Sequence, residues 1–349
     1  MREMSIAAFN DIKSIDIQTV PIPQVTPNKI LIKVDACAIC TWEQRVYTGI
    51  KRVEFPFVGG HEIAAEIVSI GSQVNNCVWA VGDKVVYGTN LACGDCYQCK
   101  LGNEQNCYNF DHSQPLPGTD FIGMGGFSEY LLVEPKHLFH YWNVSPLEAS
   151  LAEPLSCVIH SSETAKIQYG DTVVIIGCGI MGLLHLQLAL KSGAFVIVSD
   201  PQVERLEKAK SLGAHYLVNP NQDNLELIVE ELTRNVGAQI VFNTTPIAEI
   251  VEQSLNLLAN NGCLVLYSSF YPDKPVSYSP DTLHKSATRI LGTANSNSKD
   301  FMRAAKMISE GIIDTKIFIS AVYSFKELKK GLDAAILGDQ YRVVIDFSK

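Results

Sequence analysis

Charged side chains are scarce in this chain, and no stretch of it is rich in lysine and arginine. Aspartate, glutamate, lysine and arginine together make up 19% of the 349 residues, and the formal net charge is −9. A protein that binds nucleic acid needs a basic surface to neutralise phosphates. This composition offers no such surface, so we expect no nucleic-acid partner.

Low-complexity tracts, internal repeats and a terminal apolar run are also missing. Residues 1–5 contain no apolar signal core, which predicts a cytoplasmic protein. The apolar stretch 173–190 is interrupted by three glycines, His185 and Gln187, so we expect no membrane span there. The length suggests two domains, and a hydrophobic content of 47% indicates a folded globular chain.

Cysteine is abundant by contrast, because the chain has ten. In a reducing compartment, cysteines in such number are metal ligands or buried thiols before they are disulfides. Four lie within fifteen residues: Cys93, Cys96, Cys99 and Cys107. Four thiolates leave no open position on a tetrahedral ion, so they predict a structural zinc site. An iron–sulfur cluster fits the last spacing poorly, and a nucleic-acid zinc ribbon would need a basic surface.

A second segment, 173–200, has the organisation of a dinucleotide-binding unit. Its two apolar runs, 173–176 and 195–198, predict neighbouring strands of a parallel sheet. Between them, a glycine-rich turn opens an apolar helical pattern with Gly177, Gly179, Ile180, Met181 and Gly182. The glycines allow a tight turn and the close approach of a pyrophosphate, which the N-terminus of the helix attracts.

Asp200 follows the second predicted strand, where a carboxylate can accept hydrogen bonds from the adenosine ribose hydroxyls. It would repel a 2′-phosphate, so Asp200 favours NAD over NADP, although nearby Arg205 weakens that preference. The alternative is a strand–helix–strand unit without a ligand. The order of strand, glycines, helix, strand and acid favours dinucleotide binding instead.

Outside these segments, the order of predicted strands, turns and helices differs between two parts of the chain, which predicts two kinds of domain. Residues 5–35 alternate apolar strands with proline-bearing turns, which indicates a β-rich beginning. From residue 173 onward, strands and helices alternate, which is typical of a doubly wound parallel sheet. The expected fold class is therefore α/β, with a β-rich domain beside the doubly wound one.

Four further residues are candidate ligands of a second metal ion. Cys40 lies just beyond a predicted strand, and His61 with Glu62 follows two glycines at the head of another. A carboxylate on an apolar strand needs a partner, which a metal or its bound water could supply. Glu153 precedes a proline, so we expect an extended residue just ahead of a helix. It is either a charge favoured by the helix dipole or a carboxylate that faces the metal.

Together these motifs resemble the medium-chain zinc-dependent alcohol dehydrogenase family over nearly the whole chain. The order of the motifs is that of the family: Cys40, 60–62, 82–85, the four-cysteine lobe, 125–130 and the glycine fingerprint. Glu153-Pro154-Leu155 is similar to the polyol (sorbitol-type) and threonine dehydrogenase branch.

The resemblance implies a domain plan and a second zinc ion. A GroES-like catalytic domain would comprise residues 1–152 and 296–349, with a Rossmann coenzyme domain at 153–295. Catalytic zinc would be held by Cys40 and His61, with Glu62 and Glu153 as alternating or water-bridged ligands. The chain would be a homo-oligomer, a tetramer or a dimer.

One motif departs from the family pattern. The position that usually holds a proton-relaying hydroxyl is Trp42, and the following acid is Glu43. Thr41 lies one residue early, so a relay through Thr41 or through water is an open expectation. Trp42 could line the substrate pocket, and Glu43 could orient His61.

We expect a zinc-dependent oxidoreductase that transfers a hydride between a secondary alcohol, such as a polyol or sugar-like compound, and NAD. A threonine-type dehydrogenase acting on a β-hydroxy amino acid is one alternative. A non-catalytic NAD-binding protein is another, because Trp42 replaces the usual hydroxyl.

Overall fold

The computed structural model describes residues 2–111 and 113–349. Met1, the first of the five residues inspected for a signal core, and His112 lie outside the described residues. The chain forms two compact units. The first unit runs up to Ser156 and resumes over Ser296–Lys349, and the second is Cys157–Asn295. The first boundary falls within a helix, four residues beyond the position expected from the resemblance.

Strands and helices are numbered here in chain order. The strands are β1 (Glu3–Asp11), β2 (Ser14–Pro21), β3 (Ile30–Ala38), β4 (Phe57–Val58), β5 (Glu62–Ile70), β6 (Lys84–Tyr87), β7 (Ile122–Gly123), β8 (Tyr130–Val133), β9 (Leu138–His140), β10 (Thr172–Ile176), β11 (Phe195–Ser199), β12 (Tyr216–Val218), β13 (Ala238–Asn243), β14 (Leu258–Leu266), β15 (Arg289–Gly292), β16 (Ile319–Ser324) and β17 (Arg342–Asp346). The helices are α1 (Thr41–Tyr47), α2 (Tyr97–Lys100), α3 (Pro146–Ala149), α4 (Ala152–Ala165), α5 (Ile180–Lys191), α6 (Val203–Ser211), α7 (Leu225–Thr233), α8 (Ala248–Leu255), α9 (Pro280–Ser286), α10 (Ser298–Ser309) and α11 (Leu328–Ala335).

The first unit is built on two sheets around one apolar core. One sheet has the order β2-β1-β4-β7, and the larger follows β16-β17-β3-β5-β6-β9, with β8 paired to β3. Buried side chains such as Ile32, Ile63 and Phe127 fill the space between them. The last strand, β17, lies antiparallel to β3, so the C-terminal segment completes a sheet begun near the N-terminus. This is the β-rich domain that the sequence predicts.

One sequence expectation in this unit is wrong. Glu153 was expected as an extended residue ahead of a helix, but it lies inside α4, one residue after the helix begins. Pro154 is tolerated there because the first N–H groups of a helix have no intrahelical acceptor, so the missing proline N–H loses nothing.

The second unit contains one six-stranded parallel sheet. Its order is β12-β11-β10-β13-β14-β15, and each neighbouring pair is parallel. Numbered within this unit, the order is 3-2-1-4-5-6, the arrangement of a dinucleotide-binding fold. Buried aliphatic side chains, among them Val174, Ile197 and Val241, form the core. The doubly wound sheet expected from the sequence is confirmed.

Within the described residues, no helix combines the length and the apolar character that a bilayer crossing requires. The apolar stretch 173–190 divides into β10, the glycine turn and most of α5.

Hydrogen bonds of the Tyr47 side chain connect helix α1 to helix α11. The hydroxyl of buried Tyr47 donates a hydrogen bond to Asp333 Oδ1 at 2.7 Å. Lys329 Nζ lies 3.2 Å from the same hydroxyl and 3.0 Å from Asp333 Oδ2. Because Cys40 and Glu43 are adjacent to or on α1, this contact also fixes the helix that presents them.

Replacing Tyr47 by Phe should lower the free energy of unfolding by about 1 kcal/mol, because the partly buried hydrogen bonds of its hydroxyl with Asp333 and Lys329 are lost and the ring is kept. Urea unfolding followed by circular dichroism measures this. Tyr169→Phe is the matched control, since that side chain is 89% exposed. Equal stability of the two variants would contradict the role of the Tyr47 hydroxyl.

Candidate zinc and coenzyme sites

The pairing of β3 with β5 brings two distant parts of the chain together. Ala38, at the end of β3, pairs with Glu62 at the start of β5. Cys40 immediately precedes α1, and His61 immediately precedes β5. One ligand atom from each of Cys40, His61 and Glu62 lies within 4.8 Å of the others. A thiol, an imidazole and a carboxylate therefore converge at one point.

Gly60 permits the turn into His61. Its φ is +87°, a conformation that side chains disfavour. A Cβ on Gly60 would lie 2.8 Å from Cys37 Sγ and 2.8 Å from the carbonyl carbon of Gly126. Gly126 in turn donates its N–H to the Gly60 carbonyl at 2.9 Å. The glycine motifs at 59–60 and 125–126 are thus joined by a close backbone contact.

Glu43 fixes the ring of His61. Its Oε1 accepts hydrogen bonds from His61 Nδ1 at 2.7 Å and from the Gly60 N–H at 2.9 Å. An ionised carboxylate can only accept, so Nδ1 carries a proton and Nε2 is the ring nitrogen available to a metal. Burial opposes charge on His61, but Glu43 and Cys40 raise its pKa well above the ordinary value. The surroundings therefore favour a positive charge at this point, from a proton or from a metal ion.

Arg342, the first residue of β17, pairs with buried Glu62. Its Nε lies 2.9 and 3.1 Å from the two carboxylate oxygens, and its Nη2 lies 2.7 Å from Oε1. The same Nη2 is 3.6 Å from Cys40 Sγ. Burial acts against the charge of Arg342, yet Glu62 and Cys40 raise its pKa. This guanidinium is the cation that a fully buried carboxylate requires.

These donors suit zinc. Thiolate, imidazole and carboxylate are all zinc ligands, and three protein ligands leave a fourth position open, as in catalytic centres. The oxygens of Glu62 are engaged by Arg342. Glu153 lies outside the group of converging ligand atoms, although its charge acts on Arg342. The roles of Cys40, His61, Glu62 and Glu153 as ligands remain predictions.

The two residues between Cys40 and Glu43 differ in their surroundings. Thr41 begins α1 and is exposed. Trp42 is partly buried, and its indole meets the His61 ring edge-on, with centroids 6.3 Å apart and planes at 86°. A proton relay through Thr41 remains a prediction.

The four-cysteine lobe has the geometry of a closed metal site. The Sγ atom of Cys96 lies 3.5 Å from that of Cys99 and 3.9 Å from that of Cys107. The Sγ atoms of Cys93 and Cys99 are 4.0 Å apart. Four sulfurs about 2.3 Å from a tetrahedral ion would be about 3.8 Å apart, so the lobe fits zinc.

Backbone N–H groups add to this fit by stabilising thiolate charge. Asp95 and Cys96 direct their N–H groups at Cys93 Sγ at 3.4 and 3.3 Å. These hydrogen bonds lower the pKa of Cys93 to about 6, whereas burial raises the pKa of Cys99 to about 12. At least one sulfur of the lobe is therefore a thiolate near neutral pH and ready to bind a metal ion.

A cavity of about 910 Å³ lies at the carboxyl ends of β10, β11 and β13. Among the residues that line it are four of the predicted coenzyme contacts, Gly177, Gly179, Asp200 and Arg205. Ile180, Met181 and Gly182 do not line it but form the first turn of α5. Their N–H groups precede the first intrahelical bond, from Leu183 to Gly179, so they can face a phosphate.

Two contacts shape this turn. A Cβ on Gly182 would lie 1.8 Å from the Gly177 carbonyl oxygen, so only glycine lets α5 pack against the turn. Asp200 is buried, and its two oxygens accept hydrogen bonds from the N–H groups of Cys178 at 2.7 Å and Gln202 at 2.8 Å. An ionised carboxylate has about four lone-pair sites, so Asp200 can still accept from ribose hydroxyls.

Sequence reasoning missed Arg342. The signal was present, because Arg342 opens the terminal strand with an apolar run after it, and Glu62 opens β5 in the same way. Pairing the two would have required the register of β17 against β3, which links residues about 300 positions apart.

Comparison with known proteins agrees with this fold and with zinc and NAD(P) as the cofactors. Residues 26–143 match the alcohol dehydrogenase GroES-like domain, and residues 181–310 match the zinc-binding dehydrogenase domain. The erythritol/L-threitol dehydrogenase of Mycolicibacterium smegmatis is 31% identical over 341 residues, covering 93% of this chain and 92% of that protein.

Two further proteins are similar over almost their full lengths. The L-threonine 3-dehydrogenase of Caldanaerobacter subterraneus subsp. tengcongensis is 29% identical over 341 residues, with 95% of this chain and 94% of that protein covered. A protein of Sinorhizobium meliloti 1021 described as a zinc-binding dehydrogenase, solved with NADP, superposes with a TM-score of 0.88 at 29% identity, covering 99% of this chain and 100% of that one.

The fold and donor sets define a zinc-dependent oxidoreductase that transfers a hydride between a secondary alcohol and NAD(P). The chain belongs to the medium-chain zinc-dependent alcohol dehydrogenase family, in its polyol and threonine dehydrogenase branch. The family and the fold class expected from the sequence are thereby confirmed, and the chain is an enzyme.

Replacing Glu43 by Gln should weaken zinc binding at the Cys40–His61 centre by roughly 10- to 100-fold, because the charge that orients and polarises His61 is removed. Competition with a chromophoric chelator measures the affinity.

Glu66→Gln is the matched control. Glu66 is also a carboxylate of the first unit, but it pairs with Lys84 at 2.8 Å. Equal zinc affinity in the two variants would mean that Glu43 does not hold the ligand.

Proposed function

We propose that this enzyme oxidises a polyol or a sugar-like secondary alcohol to the ketone, with NAD as the hydride acceptor. The observation that carries the proposal is the convergence of Cys40, His61 and Glu62 within 4.8 Å. The cavity above the glycine turn supports the coenzyme half. The named activity of the Mycolicibacterium relative, which acts on erythritol and threitol, supports a polyol substrate.

Two bound groups would supply the chemistry: zinc, held by Cys40 and His61, would provide a Lewis acid, and the nicotinamide would provide the hydride acceptor. The chain supplies the rest. Glu43 holds the Nδ1–H of His61 and leaves Nε2 as the ligand atom. Arg342 balances the charge of Glu62 and lies 3.6 Å from Cys40 Sγ, where it favours the thiolate.

Asp200 supports NAD rather than NADP as the coenzyme. Its buried carboxylate lines the cavity beside Gly177 and Gly179, and it would repel a 2′-phosphate. Arg205 lines the same cavity and acts in the opposite sense. The Sinorhizobium structure holds NADP, so the choice of coenzyme has to be measured on this chain.

A threonine-type dehydrogenase acting on a β-hydroxy amino acid is the second candidate. Its support is the 29% identity with the threonine dehydrogenase of Caldanaerobacter and the Glu153-Pro154-Leu155 motif. A β-hydroxy amino acid carries an ammonium and a carboxylate, whereas a polyol carries only hydroxyls. Relative turnover of the two classes therefore separates the candidates.

We expect zinc-loaded protein to reduce NAD with linear polyols of four to six carbons, and to prefer them over L-threonine by at least about tenfold in kcat/KM. NADH or NADPH absorbance is followed with both coenzymes, and zinc is measured on the same sample. Cys40→Ala is the control, because it removes a predicted zinc ligand. Turnover of threonine alone would favour the second candidate, and no turnover with any alcohol would overturn both.

The cellular setting and the assembly are further parts of the proposal. A cytoplasmic location is supported by ten cysteines that form no disulfide, as in a reducing compartment. A homo-oligomer, either a dimer or a tetramer, is supported by β15, which pairs only with β14 in the described sheet and leaves its other edge open. An open edge is a surface on which a second copy can pair.

Light scattering coupled to gel filtration should therefore give two or four times the mass of one chain. A single-chain mass across the accessible concentration range would contradict the oligomer.

A further inference from the structure

We propose that Ser156 and Ser296 are positioning residues for Glu153. A chain of three hydrogen bonds through the two serines holds the first turn of α4, which carries Glu153. This inference rests on the proposed function, because Glu153 is a predicted participant in the Cys40–His61 centre. It goes further by giving a role to the two positions at which the chain leaves and re-enters the first unit.

The chain of hydrogen bonds begins at Asn90, which stands three positions before the first cysteine of the four-cysteine lobe. Asn90 Nδ2 donates to the carbonyl oxygen of Ser296 at 2.9 Å. The hydroxyl oxygens of Ser296 and Ser156 lie 2.7 Å apart. Ser156 Oγ lies 2.6 Å from the carbonyl oxygen of Glu153. All three distances are those of hydrogen bonds, so the connection from Asn90 to α4 is continuous.

The protons in this chain have a defined direction. A hydroxyl group has one proton to donate, and a carbonyl oxygen can only accept. The proton of Ser156 therefore goes to the carbonyl of Glu153, and the hydroxyl of Ser296 is the donor to Ser156 Oγ. Hydrogen bonds aligned in this way polarise one another, which strengthens each of them.

Both serines are buried, so water cannot readily replace these contacts. Ser156 is inaccessible to solvent, and Ser296 is 5% exposed. Removal of either hydroxyl would leave the other without one of its hydrogen bonds in the interior, which is costly. We therefore expect the backbone around a missing hydroxyl to shift, and the first turn of α4 to shift with it.

The start of α4 benefits from such support. Glu153 is the second residue of this helix. The first N–H groups of a helix have no intrahelical acceptor, so its first turn is held by fewer backbone hydrogen bonds than its middle. The Ser156 hydroxyl adds a bond to the carbonyl of Glu153 within that turn. The bond restrains the backbone from which the Glu153 side chain extends.

The position of this turn affects the metal centre through charge. Burial acts against the charge of Arg342, but Glu62 and, more weakly, Glu153 raise its pKa. Arg342 Nη2 lies 2.7 Å from Glu62 Oε1 and 3.6 Å from Cys40 Sγ. Glu153 therefore acts on the guanidinium that balances two of the predicted ligands. A displaced turn would change that balance, and with it the affinity of the centre for a metal ion.

The test is a double-mutant cycle read out as metal affinity. Co²⁺ is titrated into protein from which the metal of the Cys40–His61 centre has been removed, and the visible absorption of the bound ion gives the affinity. This measurement requires no turnover.

Ser156→Ala and Ser296→Ala should each lower the Co²⁺ affinity by about 3- to 10-fold. This is less than the roughly 10- to 100-fold expected for a residue that contacts a ligand directly. In a Glu153→Gln background, the same two substitutions should change the affinity by less than about twofold, because residues that act through one another are not additive.

Ser150→Ala is the matched control. Ser150 is also buried, at 1% exposure, and its hydroxyl donates to a carbonyl three residues earlier, that of Leu147, at 2.8 Å. It has the same kind of bond as Ser156 but no part in the chain that starts at Asn90. Ser150→Ala should keep the wild-type affinity in both backgrounds.

Three results would overturn the positioning role. The first is an affinity in both serine variants within about twofold of the wild type; if Ser156→Ala does not fold, Ser296→Ala alone decides. The second is an equal loss with and without Glu153→Gln, and the third is the same loss in Ser150→Ala. Absence of turnover with any alcohol would overturn the proposed function, while the cycle would still decide the role of the two serines.

Discussion

The metal chemistry of the first unit depends on the antiparallel register of β3 against β5. Ala38 opposite Glu62 is the pairing that sets Cys40 beside His61, although 21 positions separate them in the sequence. The register shifts between Val34 and Ala36, which marks a bulge or irregularity in the ladder. A one-residue slip would turn each side chain to the opposite face of the sheet. The thiol of Cys40 and the imidazole of His61 would then no longer meet. The site therefore depends on this register, including its local irregularity.

The second constraint is electrostatic. Glu43, Glu62 and Arg342 are all buried, and isolated charges of this kind are costly in a protein interior. Arg342 offsets Glu62, and His61 offsets Glu43, so each buried carboxylate faces a cationic or potentially cationic group. Removing one partner leaves an uncompensated charge, which costs more than the pair contributes to stability. Charge balance therefore ties β17, near the C-terminus, to the site formed by β3 and β5.

How much could be predicted from the sequence depended on how local each feature is. The lobe of Cys93, Cys96, Cys99 and Cys107 and the glycine turn of 177–182 are contiguous, so spacing alone predicted a metal site and a coenzyme site. The strand–helix alternation predicted the doubly wound sheet, because each element there is continuous in sequence. Helix α6 and strand β12 were not predicted, although they lie directly after the fingerprint.

Long-range features were harder to predict. Cys40, His61 and Glu62 were brought together by resemblance, because nothing in their spacing gives the register of two strands. Arg342 was missed for the same reason. The error at Glu153 is of another kind: the rule that a residue before proline is extended was outweighed by the tolerance of a helix's first turn for proline.

Each half of the chemistry is complete within its own unit. The predicted zinc donors Cys40, His61 and Glu62 and their supports belong to the first unit, and every residue that lines the predicted coenzyme cavity belongs to the second. The motifs therefore define the reaction class, because each is tied to a metal or a coenzyme. They do not define the alcohol, because a substrate is selected by side chains that bind neither group.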